Sequence, residues 1–251
     1  MSLLLVVIAG SVVGNFLNVC IDRLPRGESV VAPPSHCDAC GRRLGPLELA
    51  PVVSYLWLRG RCRHCGARLS PRLPVVEALT AALFGFVWVS YGWSAATLFA
   101  LVFGSLFIVF LFIDLERSIV PNRLVFPGMA LALALSPLWP GLGPASALGG
   151  GLLAFAALFV VYVAARGGMG FGDVKLAALV GLVNGPIGGV VALAVAVVSG
   201  GVVAGLLLAS GRKGRKDAIP FGPFLSVGAV VALFWAEPLR DWYLRLVLGG
   251  V

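Results

Sequence analysis

Charged residues are scarce in this chain. Asp, Glu, Lys and Arg together make up 12% of its 251 residues, about half of the roughly 25% typical of soluble domains. Hydrophobic residues make up 59%, and the mean hydropathy is +1.00. This composition excludes an ordinary soluble domain and indicates a polytopic membrane protein. The 33 glycines and 16 prolines do not indicate disorder, because membrane helices tolerate both.

The first apolar run, residues 2–19, has no Lys or Arg before it. A secretory signal peptide requires a basic segment there, so we interpret the run as a membrane helix. Later apolar runs predict further spans at about 74–91, 94–113, 122–139 and 144–165, each near the ~20 residues that cross a bilayer. They also predict a short span at about 171–184 and two more at about 187–209 and 218–239 or beyond. The predicted fold class is an all-α polytopic membrane protein with about eight transmembrane helices.

The formal net charge of +8 raises the question of a nucleic-acid partner. With the N-terminus outside, all Lys and Arg residues except Arg240 and Arg245 lie in the predicted cytoplasmic loops or the adjoining helix ends. These loops are residues 21–73, 114–122, 166–173 and 210–218. This is the positive-inside distribution of membrane proteins. The charge therefore indicates orientation in a lipid bilayer, and no nucleic acid is expected as a partner.

The loop 21–73, between the first and second spans, carries two Cys-x2-Cys pairs. Pairs with this spacing are typical of a tetrahedral zinc site with four thiolate ligands. Disulfides are the alternative, but a cytoplasmic loop is reduced. A loop of about fifty residues with few large apolar groups could hardly fold unaided, so we expect a structural Zn²⁺ that makes it a small folded domain. The predicted ligands are Cys37, Cys40, Cys62 and Cys65.

Two acids stand where apolar runs meet predicted cytoplasmic loops. Asp114 ends the third span, and Asp173 follows the glycines Gly170 and Gly172 at the start of a later span. An ionisable group in or beside a membrane segment is a functional hypothesis by default. Two carboxylates held at one membrane face share a proton, so one can activate water while the other acts as an acid. The neighbouring glycines would leave room for substrate backbone.

Several segments carry motifs in order along the chain: Gly14–Val19, Asp22–Pro25, the cysteine pairs, Pro51–Tyr55 between them, Pro74–Glu77, Ile113-Asp114, Ile119–Asn122, Gly170–Asp173 and Pro220–Phe224. Together they resemble the motifs of the bifunctional type IV prepilin peptidases, membrane aspartic peptidases with a GxGD motif that also N-methylate their product. Two residues depart from the pattern: the family often has an acid at the position of Asn122 and tyrosine at that of Leu73.

The resemblance implies that Asp114 and Asp173 are catalytic, supported by Gly170, Gly172 and Lys175. The enzyme would sit in the bacterial inner membrane, with its zinc loop and active site at the cytoplasmic face. It would cleave the basic leader of type IV prepilins or of the pseudopilins of protein secretion, then methylate the new N-terminus with S-adenosyl-L-methionine. No Rossmann fingerprint for that donor occurs in the chain, and Glu77 is only a guess for a methyltransferase residue.

Two other functions stay open from the residues. A peptidase-only enzyme, of the preflagellin type or another GxGD intramembrane protease, would have no need of the cysteine loop. A proton-coupled transporter could use the two acids as a relay, although such groups usually lie near the midplane. The expected domains are a first transmembrane helix (1–20), the methyltransferase-associated zinc loop (21–73) and a peptidase domain (74–251).

Overall fold

The structure is a computed structural model that describes residues 2–45, 47–165, 168–211, 214 and 219–248. These residues form helices, turns and two isolated β-bridges. The helices are α1 (Leu3–Arg23, continued by a 3₁₀ turn, Leu24–Arg26), α2 (Val53–Trp57), α3 (Arg72–Tyr91), α4 (Ala95–Arg117), α5 (Asn122–Leu135, then a 3₁₀ turn, Ser136–Leu138), α6 (Pro144–Ala164), α7 (Phe171–Ala209) and α8 (Gly222–Leu248).

The predicted spans all coincide with helices. Six described helices are long and apolar enough to cross a membrane, and Asn122–Leu138 is a shorter apolar helix. The predicted spans 171–184 and 187–209 are two arms of α7, which runs for 39 residues. Gly185 breaks this helix with φ 67° and ψ −175°, and Pro186 follows it. The all-α polytopic fold is therefore confirmed, with a kink where the sequence predicts a turn.

Part of the predicted charge pattern falls on residues that the structure does not describe. Five basic residues assigned to cytoplasmic loops lie outside the described residues: Arg166, Arg212, Lys213, Arg215 and Lys216.

The chain divides into two compact units, Met1–Val109 and Phe110–Val251, here called the N-terminal and C-terminal units. In the N-terminal unit α1 and α3 run antiparallel. Arg72 Nη2 donates to Asp22 Oδ2 over 2.7 Å where α1 ends and α3 begins. Further along, a Cβ added to Gly14 would lie 2.6 Å from Glu77 Cα. The absence of a side chain at Gly14 thus permits close contact between the helices.

In the C-terminal unit α7 packs against α6 and α8. The backbones of Gly150 in α6 and Gly181 in α7 touch, so a Cβ on either glycine would overlap the other's backbone. Close packing of small residues drives helix association in lipid, where apolar burial does not. This packing supports α7, whose first turn carries Asp173.

Candidate active site and metal centre

Asp114 lies in the last turn of α4 and is 4% exposed. The backbone N–H of Gly222, at the start of α8, hydrogen bonds to its carboxylate. Its Oδ2 has no hydrogen-bond partner among the described residues. Buried polar atoms are rarely left unpaired, so this oxygen is available to a water or a substrate.

Asp173 stands in the first turn of α7, where Gly170 is the N-cap residue. The Gly170 backbone N–H hydrogen bonds to the Asp173 carboxylate, which also interacts electrostatically with Asp114. Each aspartate is therefore held by one backbone N–H group at the beginning of a helix. The positive end of a helix dipole favours negative charge at such a position.

Asp114 and Asp173 line the same cavity, which has a volume of about 610 Å³. Its walls come from the segments 118–122, 168–175 and 219–221 of the C-terminal unit. Lys175 is the third charged residue of the lining. Its Nζ donates a hydrogen bond to Asn122 Oδ1 and lies 5.6 Å from the centre of the Phe171 ring. The cavity thus combines two acids and one cation with walls that are about half polar and half apolar.

The glycines of the Gly170–Asp173 motif have separate structural roles. A Cβ on Gly172 would come within 3.1 Å of the Val120 Cβ, so Gly172 lets α7 begin close to the segment that follows α4. A Cβ on Gly170 would meet Asp173 Oδ2 only at 3.7 Å. Gly172 is thus in tight contact with Val120, whereas Gly170 has more space around it. The interpretation of both glycines as room for substrate backbone stays a prediction.

The four predicted zinc ligands come together in the N-terminal unit. Their sulfur atoms all lie within 4.8 Å of one another, and Cys37 Sγ is 3.8 Å from Cys65 Sγ. A tetrahedral zinc with Zn–S bonds of about 2.3 Å has its ligand sulfurs about 3.8 Å apart. The cysteines are free thiols. The donor set and its spacing therefore fit a structural Zn²⁺.

Each cysteine pair sits on the same kind of turn. The Cys37 N–H donates to Arg42 O and the Cys62 N–H to Ala67 O. Gly41 and Gly66 close the two turns with φ of 67° and 72°, a conformation that costs glycine little. Backbone N–H groups of Cys65 and His64 lower the pKa of the Cys62 thiol to about 7. That thiol is therefore easily deprotonated for metal binding near neutral pH.

Comparison with known proteins gives a consistent result over both units. Residues 8–91 match the bacterial peptidase A24 N-terminal domain, and residues 100–205 match the type IV leader peptidase family. A prepilin leader peptidase/N-methyltransferase of Bacillus subtilis is 34% identical over 96% of this chain and 98% of its own length. The chain belongs to the type IV leader peptidase family.

Other relatives with the same printed name extend this result. The Aeromonas hydrophila protein is 33% identical over 96% of this chain and 93% of its own length. The Myxococcus xanthus protein is 40% identical over 83% of this chain and 64% of its own length. No solved structure matches the chain significantly.

Gly222 lies against Asp114 in the candidate site, a contact that the sequence does not predict. A Cβ at this position would lie 2.6 Å from Asp114 Oδ2 and 2.8 Å from its Cγ. Only glycine therefore lets the N-terminus of α8 approach the carboxylate so closely. The signal was present in the Pro220–Phe224 segment, which resembles the family but contains no group that titrates.

Glu77 is buried, 7% exposed, on α3 of the N-terminal unit. Its Oε2 accepts a 2.7 Å hydrogen bond from the Val52 N–H. Val52 has φ 60° and ψ −50°, which is a strained backbone conformation for a β-branched residue. Glu77 therefore anchors the strained turn that begins α2, a contact that sequence spacing does not reveal.

The metal centre yields a direct prediction. Cys37→Ser should remove zinc from the purified, reduced protein, because a tetrahedral site that loses one thiolate binds the ion much more weakly. Cys20→Ser is the matched control, since Cys20 lies in α1 outside the cluster. Elemental analysis should find about one zinc per chain in the wild type and the control. Zinc retained at the wild-type level by Cys37→Ser, or absent from active wild-type protein, would remove the metal assignment.

Proposed function

We propose that this protein is an aspartic endopeptidase that cleaves the leader peptide from type IV prepilins or prepilin-like pseudopilins, and then N-methylates the new N-terminal residue. The observation that carries the peptidase half is the single cavity lined by Asp114 and Asp173. Membership of the leader peptidase family and the printed names of the relatives support both halves.

In the proposed reaction, one proton is shared between the two carboxylates. The ionised carboxylate takes a proton from a water, and the resulting hydroxide attacks the scissile carbonyl carbon. The protonated carboxyl donates its proton to the carbonyl oxygen, giving a neutral diol. The diol then collapses: the carboxyl that took the water's proton gives it to the amide nitrogen, the other carboxylate takes a proton from a diol hydroxyl, and the C–N bond breaks to release the amine. No covalent enzyme intermediate forms, and the pair ends with one shared proton.

The backbone N–H groups at the starts of α7 and α8 would keep the two carboxylates in fixed positions. Gly222 N–H and Gly170 N–H each hold one carboxylate, which leaves the other oxygens for water and substrate. Fixed donors of this kind need no reorganisation during the reaction. Because about half of the cavity's lining is polar, it would accept an extended peptide segment, with its backbone amide groups, at the end of a membrane helix.

For the second half, the four cysteines would hold Zn²⁺ as a structural ion that fixes the loop between α1 and α3. S-adenosyl-L-methionine would supply the methyl group. Glu77 stays our candidate residue for this half, although in the structure it anchors Val52. We keep the proposed division of the chain into a first helix (1–20), a zinc loop (21–73) and a peptidase domain (74–251).

The protein is a multi-pass membrane protein. We further propose that it lies in the bacterial inner membrane with its N-terminus outside and both sites at the cytoplasmic face. The positive-inside distribution of Lys and Arg supports this orientation. A peptidase-only enzyme and a proton-coupled transporter are the alternatives that the following experiments exclude.

The first experiment tests the aspartate pair. Asp114→Asn and Asp173→Asn should each slow cleavage of a purified prepilin by at least about 10²–10⁴-fold, the usual contribution of a proton-transfer group. Glu116→Gln is the matched control, since Glu116 is exposed two residues beyond Asp114, and it should cleave normally. Near wild-type cleavage by either Asn variant would contradict the mechanism.

The same variants test the second half. Supplied with pilin that already lacks its leader, Asp114→Asn should still transfer the methyl group, because methyl transfer does not use the aspartate pair. Mass spectrometry of the pilin N-terminus measures this. Cleavage without any methylation by wild-type enzyme would make the protein a peptidase-only relative, and the absence of both would favour a transporter.

The second prediction concerns Gly222. Gly222→Ala should reduce kcat by about 10²-fold, the cost of misplacing a reacting group by about 1 Å, while KM changes little. Gly205→Ala is the control, because a Cβ there meets nothing within 4 Å. Cleavage kinetics of both variants decide the point. Normal kcat in Gly222→Ala would show that close contact with the Asp114 carboxylate is not required.

A further inference from the structure

The loop between the cysteine pairs contains an apolar segment that the expected fold of the zinc loop does not explain. Residues 49–58 carry no charge, although Glu48 precedes them and Arg59 follows them. The sequence interpretation of this loop as poor in large apolar groups is therefore wrong for this stretch. The segment includes α2, Val53–Trp57.

Three large apolar side chains of α2 point away from the protein, whereas Tyr55 is half-buried. Val53, Leu56 and Trp57 are 62%, 68% and 83% exposed. Positions spaced i, i+3 and i+4 share one face of a helix, so the three form a continuous apolar surface. Such a surface on a water-exposed loop would be costly, which indicates that something apolar covers it.

Contacts with α1 and α3 show how far the segment 49–58 reaches along these two helices from their paired ends. Asn15 Nδ2 donates a 3.0 Å hydrogen bond to Leu49 O. At 1.5 Å per residue, Asn15 is about 12 Å along α1 from its end at Arg23. Val52 binds Glu77, about 8 Å along α3 from its start at Arg72. Arg72 and Asp22 pair where α1 ends and α3 begins. Because both hydrogen bonds lie further along the two helices than this pair, the segment runs beside α1 and α3 and not beyond their ends.

The segment also joins an apolar groove on the same helices. Pro51 and Val52 form part of the wall of a 670 Å³ groove that continues between α1 and α3 toward Leu3 and Val89. Its surface is apolar apart from Ser11. Arg59 and Arg61 are exposed just beyond the apolar run, and their positive charge would attract the phosphate of lipid headgroups. The groove, the exposed face and the arginines together match a phospholipid.

We propose that residues 49–58 form an interfacial membrane segment, with Val53, Leu56 and Trp57 inserted into the bilayer beside α1 and α3. The occupant of this surface is lipid. Its apolar side continues the lipid-facing surfaces of two spanning helices, and tryptophan prefers the interface between chains and headgroups. The zinc loop is then held on the membrane surface at the end marked by Arg23 and Arg72.

Tryptophan fluorescence of the full-length protein in lipid nanodiscs tests this proposal. The chain has six tryptophans, so the spectrum of the wild type minus that of Trp57→Phe isolates the emission of Trp57. In nanodiscs made with phosphatidylcholine brominated near the headgroup, this difference emission should lose most of its intensity. Aqueous iodide should leave it nearly unchanged.

A second variant guards against misfolding of the first. Leu56→Trp in the Trp57→Phe background should restore emission that brominated lipid quenches. Ala39→Trp in the same background supplies the aqueous reference, because Ala39 is exposed between Cys37 and Cys40. Zinc content checks that each variant is folded. Quenching of Trp57 by iodide, or by neither agent because protein covers it, would overturn the proposal.

Discussion

The C-terminal unit depends on one costly feature, a carboxylate buried at the end of a membrane helix. Asp114 is 4% exposed and keeps one oxygen without a partner among the described residues. A group of this kind persists only where the surrounding structure holds it and where function needs it. The N-terminus of α8 at Gly222 lies directly against this carboxylate, and the second carboxylate, Asp173, lines the same cavity from the start of α7.

The rest of this unit can be understood as support for those contacts. Gly222 brings a helix N-terminus against Asp114, and Gly172 brings the start of α7 against Val120. Gly150 and Gly181 allow α6 and α7 to touch along their backbones. In lipid, where close packing replaces the hydrophobic effect between helices, glycine at these contacts determines where each aspartate lies.

Much of this arrangement could be predicted from the sequence. Apolar runs gave the helices within a few residues, because span length follows bilayer thickness. Cysteine spacing identified the four clustered thiols, since metal geometry constrains their turns. Charge asymmetry assigned Asp114 and Asp173 to one membrane face, and in the structure both line one cavity.

The missed features are those that depend on contacts between distant segments. Gly222 has no side chain to titrate, so its close approach to Asp114 leaves no trace in composition. Glu77 was noticed as an acid, yet its bond to Val52 depends on how the loop folds back onto α3. The apolar run 49–58 gives no sign of a membrane contact in the sequence, because it is too short to span a membrane and lies between the two polar cysteine turns.

The central claim is that Asp114 and Asp173 act as one catalytic unit. Single-turnover cleavage of a prepilin by Asp114→Asn, Asp173→Asn and the double variant tests it most directly, with enzyme in excess so that slow residual rates can be measured. Groups that act together give strongly non-additive losses. The account predicts that the double variant is about as slow as either single variant. Losses that multiply in the double variant would show that the two aspartates contribute independently, and would contradict a shared proton.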